Sequence, residues 1–258
     1  MVQTSVIGCG NMGSALIKGL WRGGNHTVTA CDLDPDALES VVDYCERTTT
    51  DVSETADADV VVVAVKPDIV SAVLEDLELS PEQTILSIAA GVSTDYVEAR
   101  TDANVVRIMP NLAAETGNMA AAVTGETVTD EVRVLLEDLG EYAEIDEAQM
   151  DIATAVNGSG PAFVFYLIQA MTEAGIDGGL EADDAETLAA QTFKGAAETV
   201  IRSDEDVDDL IDAVCSPNGT TIEGMEALWD SDVQEIVAEA VNAAEERSAE
   251  LASGFDDE

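Results

Sequence analysis

The chain has 258 residues, with 54 Asp and Glu against 10 Lys and Arg, a formal net charge of −44. Charge of that size usually marks disorder, but 46% of the residues are hydrophobic, so a core is expected and the surplus acid must coat a folded surface. Such a surface excludes a broad nucleic-acid footprint, which needs a basic stripe, and argues against binding to anionic membranes.

In dilute buffer the acid would repel itself, whereas salt near about 1 M shortens the screening length to roughly 3 Å, which points to a salt-rich cytoplasm. Four cysteines (Cys9, Cys31, Cys45, Cys215) show no CxxC spacing and follow no readable secretory signal, as expected for reduced cytosolic thiols. With one histidine in the chain, His26, no metal site is expected. The apolar runs VVVVAV (60–65) and FVFYLI (163–168) are too short to span a bilayer.

In chain order, VQTSVIG (2–8) predicts a buried strand, NMGSALIKGLW (11–21) a helix, HTVTACD (26–32) a second strand and PDALESVVDYC (35–45) a second helix. Then come VVVVAV (60–65), a helix around 68–77, TILSIAA (84–90), VVRIM (105–109) and a last strand near MAAAV (119–123). Strands that are apolar throughout and alternate with helices predict an α/β fold, a doubly wound, mainly parallel sheet covered on both faces. After about residue 150 the β-branched runs give way to Ala-rich helical stretches at 161–175, 184–201 and 233–251, so the second half is expected to be all-helical. NGSG (157–160) reads as a break, with Pro161 at the first position of a new helix. The run DEDVDD (204–209) reads as a solvated helix start, and the tail SGFDDE as loose.

GCGNMG, Gly8 to Gly13, directly follows a strand and opens a helix. In that context Gly8 permits a tight turn, Gly10 lets a pyrophosphate approach the backbone, and Gly13 lets helix and strand pack closely. Asp32 closes the second strand, where a carboxylate accepts from a ribose hydroxyl and repels a 2′-phosphate, favouring NAD(H); the plainer reading is a cap before LDPDAL. His26, in a polar turn before its strand, is a poor general base, and no other histidine can activate Cys215 or a serine. Cys215 is expected to be a small buried packing residue. In CSPNGTTIEG (215–224), Ser216-Pro217 can serve as cap and first helical position, or Asn218-Gly219 can turn the chain into a helix starting at Thr220 or Thr221. Either arrangement gathers backbone N–H groups and hydroxyls able to hold a carboxylate without a basic side chain; a polar turn without a ligand is the plainer alternative.

GCGNMG, AVKP (64–67), SIAAGV (87–92), RIMPN (107–111), NGSGPAFVF (157–165) and CSPNGTTIEG (215–224), in this order and spacing, resemble the pyrroline-5-carboxylate reductases over nearly the whole chain. The resemblance implies a dinucleotide-binding Rossmann domain over 1–152 and a helical dimerisation and substrate-binding domain over 153–258. It implies homodimers with interleaved C-terminal helices, each active site against the partner subunit, and in many members further assembly to decamers. The implied reaction, the last step of proline biosynthesis, transfers hydride from NADPH or NADH to the C=N bond of L-1-pyrroline-5-carboxylate.

By the same resemblance Gly8, Cys9, Gly10, Asn11, Met12 and Gly13 would cradle the pyrophosphate. Ala64, Val65, Lys66 and Pro67 would border the cofactor, and Ala89 and Ala90 the nicotinamide. Ser216, Gly219, Thr220 and Thr221 would bind the substrate carboxylate and ring, with Asn111 close by and the Thr221 hydroxyl donating or orienting the proton at nitrogen. An iminium can form in solution, so alignment carries most of the chemistry, which accounts for the lack of a strong acid, metal or nucleophile.

The chain departs from the family pattern at Asp32, where a small neutral residue is common, at Asn157, where serine is common, and at Asn218, where glycine is usual. Leu210-Ile211-Asp212 and Asp206-Val207-Asp208 replace a lysine-bearing stretch and a His-Pro-Gly turn. A 3-hydroxyisobutyrate-type dehydrogenase would need a lysine four residues after Gly158-Ser159-Gly160, where Val164 stands. A dinucleotide-binding regulator without turnover would not need the intact loop at 216–221.

Overall fold

The structure is a computed structural model and describes residues 1–253. Two compact units divide it: residues 1–159 with the chain from Asn242 onward, and Gly160–Val241.

The first unit carries an eight-stranded sheet: β1 (Val2–Ile7), β2 (His26–Cys31), β3 (Arg47–Thr49), β4 (Val60–Val63), β5 (Thr84–Ser87), β6 (Asn104–Met109), β7 (Met119–Gly125) and β8 (Gly140–Glu144). The order is β3-β2-β1-β4-β5-β6-β7-β8. The strands from β3 to β6 run parallel; β7 is antiparallel to β6, with Ile108 opposite Val123, and β8 is parallel to β7. The mainly parallel expectation therefore holds, but MAAAV is not the last strand, because the largely exposed GEYAE of β8 extends the sheet.

Strand β4 is four consecutive valines, all buried, as required where both faces are covered. Val6, Val62, Leu86, Val106 and Ile108 point to one face, against Leu16 and Leu20 of α1 (Asn11–Gly23). The other face buries Ile7, Val61, Val63, Ile85 and Val105. In chain order there follow α2 (Pro35–Glu39), much shorter than the helix expected over 35–45, α3 (Val70–Glu75), α4 (Thr94–Glu98) and α5 (Asp130–Leu139). Val70, Leu74 and Val97 of α3 and α4 pack on the second face. Leu135, Leu136 and Leu139 of α5 pack on the first. His26 is the first residue of β2 rather than part of a polar turn: its side chain is buried, 3.3 Å from Thr4 Oγ1 and 3.1 Å from Asp138 Oδ2.

After α6 (Met150–Ala153) the chain does not break at NGSG but winds a π-helical turn, Thr154–Ser159. The cause is legible in the hydrogen bonds. Pro161 has no N–H to offer the carbonyl four residues earlier, that of Asn157, and this carbonyl accepts from Asn111 Nδ2 at 3.1 Å. The Asn157 amide in turn donates to the carbonyls of Met109 (2.6 Å) and Ala120 (2.9 Å), tying the turn to β6 and β7.

The remaining helices are α7 (Gly160–Asp177), α8 (Ala182–Arg202), α9 (Val207–Val214), α10 (Thr220–Trp229) and α11 (Val233–Ser253). In DEDVDD, Asp206 caps α9 while Asp208 and Asp209 lie in its first turn, as the sequence predicts. Within the second unit only Ala185 and Ala189 are fully buried, while Phe165 and Tyr166 of α7 stand 68% and 71% exposed. In the first unit the end of α11 docks through Ser248 Oγ, which donates to Asp151 Oδ1 at 2.7 Å. Of the tail SGFDDE only Ser253, the last residue of α11, is described; the expected looseness of the rest lies outside the described residues. No helix among the described residues is long and apolar enough to cross a membrane.

Candidate functional site

In the first unit the strand order reverses between β2-β1 and β4-β5, which opens a crevice beyond the carboxyl ends of the parallel strands. The turn GCGNMG lies there, after β1. Gly8 has φ +97°, and a Cβ at this position would come 2.6 Å from the Ala64 carbonyl oxygen. At Gly13 a Cβ would overlap the Gly8 carbonyl, so helix α1 can approach its strand only with hydrogen there. Around Gly10 a Cβ would meet nothing within 4 Å. Gly10 is also the N-cap of α1, with no side-chain cap and no acid in the first turn. Open space over uncapped N–H groups at the positive end of a 13-residue helix suits a pyrophosphate. The residues present therefore fit a dinucleotide.

Asp32 follows β2, and its carboxylate is fastened to that turn: Oδ2 accepts from the Cys9 N–H at 2.6 Å and Oδ1 from the Asp34 N–H at 2.9 Å. Each oxygen keeps a lone pair for a further donor. Burial, reinforced by the Asp32 charge, pushes the Cys9 thiol up to about 12 and the Cys31 thiol up to about 11. Neither thiol is a nucleophile at neutral pH.

Ala64 and Val65 border Gly8, and the Ala64 N–H donates to the Ile7 carbonyl at 2.7 Å, so AVKP is drawn against the glycine turn. Lys66 is exposed, and Pro67 opens the short 3₁₀ turn Pro67–Ile69. Ala89, buried, and Ala90, half-buried, follow β5. Below them lies a polar group that the sequence reading overlooked. Arg107, 5% exposed, pairs through Nη1 with Glu147 Oε1 at 2.5 Å, and Glu147 Oε2 accepts from Thr94 Oγ1 at 3.5 Å. Ser87 is the register partner of Arg107; its Oγ and Arg107 Nε are buried without partners. A cation in the otherwise apolar run VVRIM was the available signal. Asn111 is 8% exposed, and its side chain is committed to Asn157 O and to the Ala113 N–H, 3.2 Å away.

In the second unit the loop 215–219 resolves the two starts open to it. Helix α10 begins at Thr220, with Gly219 as N-cap, so Ser216-Pro217 is not the helix start. The Gly219 N–H donates to the Ser216 carbonyl at 2.9 Å, and Asn218 takes φ +59°, the one positive-φ non-glycine among the described residues. Asn tolerates that conformation better than other side chains, which explains how it replaces glycine. Gly219 supplies no capping side chain, so the first N–H groups of α10 are uncapped beside the hydroxyls of Thr220 and Thr221. A Cβ at Gly219 would overlap Ser216 Oγ, so this hydroxyl lies close over the glycine and only a residue without a side chain leaves it room. Cys215 is half-buried rather than buried, because it ends α9 on the rim of an apolar cavity of about 440 Å³ that it shares with Val200, Leu210, Val214, Thr221 and Met225.

Comparison with known proteins agrees with this anatomy. Residues 147–251 match the family described as pyrroline-5-carboxylate reductase dimerisation, and residues 3–91 that described as NADP oxidoreductase, coenzyme F420-dependent. The chain is 40% identical to the pyrroline-5-carboxylate reductase of Pseudomonas aeruginosa over 97% of each chain. With that of Methanosarcina acetivorans it is 37% identical, over 95% of this chain and 96% of the relative. The crystal structure of Plasmodium falciparum pyrroline carboxylate reductase with NADP bound superposes with a TM-score of 0.83 at 28% identity, covering 97% of this chain and 98% of that one. The chain thus belongs to the pyrroline-5-carboxylate reductase family of NAD(P)H-dependent oxidoreductases.

Proposed function

We propose that this chain reduces L-1-pyrroline-5-carboxylate to L-proline with NADH or NADPH as donor. The observation that carries the reading is the uncapped start of α10: backbone N–H groups and three hydroxyls at Ser216, Thr220 and Thr221, with no basic side chain between Cys215 and Gly224. Such an arrangement holds a carboxylate by hydrogen bonds and the helix dipole alone. Gly219 leaves the N–H groups uncovered, and Thr221 directs its hydroxyl at the imine nitrogen as donor or orienter of the proton.

In the first unit Gly8, Cys9, Gly10, Asn11, Met12 and Gly13 hold the pyrophosphate, Asp32 the adenosine ribose, Ala64–Pro67 the edge of the crevice, and Ala89 and Ala90 the nicotinamide side. When bound, the nicotinamide supplies the hydride for the C=N carbon. Asn111 supports the site by holding the Asn157 carbonyl rather than by reaching for substrate. The protein's task is alignment, which can supply about 7–11 kcal/mol of the barrier. Metal and nucleophilic groups have no part in this scheme.

Residues 1–152 act as the dinucleotide-binding domain and 153–258 as the dimerisation and substrate-binding domain, and two chains interleave their C-terminal helices, in some states as decamers. Support comes from the exposed Phe165 and Tyr166 and from a second unit that buries only two alanines fully. The net charge of −44 supports work in a salt-rich cytoplasm. The test is Thr221→Val, assayed for pyrroline-5-carboxylate-dependent oxidation of the donor. The variant should lose kcat by about a hundredfold or more, the ordinary worth of a positioned proton donor, with donor affinity unchanged. An unchanged kcat removes Thr221 from the mechanism.

A further inference from the structure

We infer that NADH is the donor this chain selects, and that Asp32, seconded by Asp34, rejects the 2′-phosphate of NADPH; the inference rests on the reductase reading above. Three observations converge on the turn after β2. First, the Asp32 carboxylate cannot swing aside, because Cys9 N–H and Asp34 N–H hold its two oxygens at 2.6 and 2.9 Å. Its remaining lone pairs can accept from a ribose diol but can only repel a phosphate, which carries about −1.5 to −2 charges. Secondly, Asp34 is held in place as the cap of α2, accepting from the Asp36 N–H at 3.0 Å, so a second carboxylate is fixed in the same turn, two residues on.

Thirdly, no cation is at hand. The segment from Asp32 to Glu46 contains no Lys, Arg or His. Arg47 is level with Thr29, three residues back along β2, and is engaged by the Glu54 carboxylate and carbonyl. Lys18 pairs with Glu115 and Arg22 bonds the Asp138 carbonyl. Lys66 has no ion pair among the described residues but follows β4, on the far side of β1 from the adenosine end of the crevice. A relative binds NADP, so the turn after β2 is where this chain would part from it.

The test is equilibrium binding of NAD⁺ and NADP⁺, followed by fluorescence titration at the lowest KCl that leaves the circular dichroism spectrum unchanged. NAD⁺ should bind more than about tenfold tighter, and Asp32→Ser should cut that ratio at least about tenfold by weakening NAD⁺ and strengthening NADP⁺. Ratios of kcat/KM for NADH and NADPH should follow the same order. NADP⁺ binding as tightly as NAD⁺, or a ratio unchanged in a natively folded Asp32→Ser protein, overturns the inference. Selective NAD⁺ binding without turnover of pyrroline-5-carboxylate overturns the reductase reading and leaves the donor assignment standing.

Discussion

Replacing Asn111 by alanine removes two hydrogen bonds at once, and the arithmetic can be done from the structure. The Oδ1 bond to Ala113 N–H caps the 3₁₀ turn Leu112–Thr116, and such a cap is worth about 1 kcal/mol. The Nδ2 bond supplies the part-buried Asn157 carbonyl, which Pro161 cannot serve, and leaving such an acceptor without its donor costs about 1–3 kcal/mol. Asn111→Ala should therefore destabilise the protein by about 2–4 kcal/mol in urea unfolding at fixed protein concentration and salt. The second half of that sum depends on Pro161. Pro161→Ala restores an N–H four residues after Asn157, so the double variant should recover about 1 kcal/mol or more of the Asn111→Ala loss. A double-mutant cycle with no coupling, or a loss below about 0.5 kcal/mol for Asn111→Ala, refutes the assignment of Asn111 as the stand-in for the missing proline N–H.

The Arg107–Glu147 pair should respond unequally to its two truncations. Glu147→Ala strands a cation that is 5% exposed and should cost about 3 kcal/mol, whereas Arg107→Leu leaves a carboxylate already one-third open to water and should cost about 1 kcal/mol; equal losses would contradict the burial argument. His26 links stability to pH: burial lowers its folded pKa below 6.5, with Asp138 opposing, so the unfolded chain binds the proton first as pH falls. Stability should thus be full above about pH 6.5 and decline below it, by at most about 1.4 kcal/mol per pH unit from this group, and His26→Gln should flatten that slope between pH 7 and 5.5. Asn218→Val should cost about 1 kcal/mol or more, because a β-branched residue is strained at φ +59°, while Asn218→Gly should be near neutral in thermal unfolding.

Where an element carries its own pattern, its sequence reveals it. The all-valine β4, the strand–turn–helix around GCGNMG and the Ala-rich helices after residue 160 needed no tertiary knowledge. Strands β3 and β8 were invisible because RTT and GEYAE have little apolar content; each is a strand only because a neighbour at the sheet edge offers it hydrogen bonds. Helix α5 shows a buried Leu stripe and a Thr129 cap, a signal that was present and unread. The π-helical turn at Thr154–Ser159 depends on Asn111, more than forty residues earlier, so no local rule could place it. The start of α10 was one of two locally acceptable choices, decided by Asn218 entering the left-handed region. The residue types of the candidate site were legible because glycine turns, an acid after β2 and a hydroxyl-rich helix start are local chemistry. The bonds from Cys9 to Asp32 and from Arg107 to Glu147 were not, because they join segments far apart in sequence.

The central claim is hydride transfer to a cyclic imine, and isotope transfer tests it most directly. Purified protein in high salt, given pyrroline-5-carboxylate and a donor carrying deuterium at both C4 positions of the nicotinamide, should release proline carrying one deuterium at the carbon of the former C=N bond. Unlabelled proline from that donor, or no proline with either NADH or NADPH, would contradict the account.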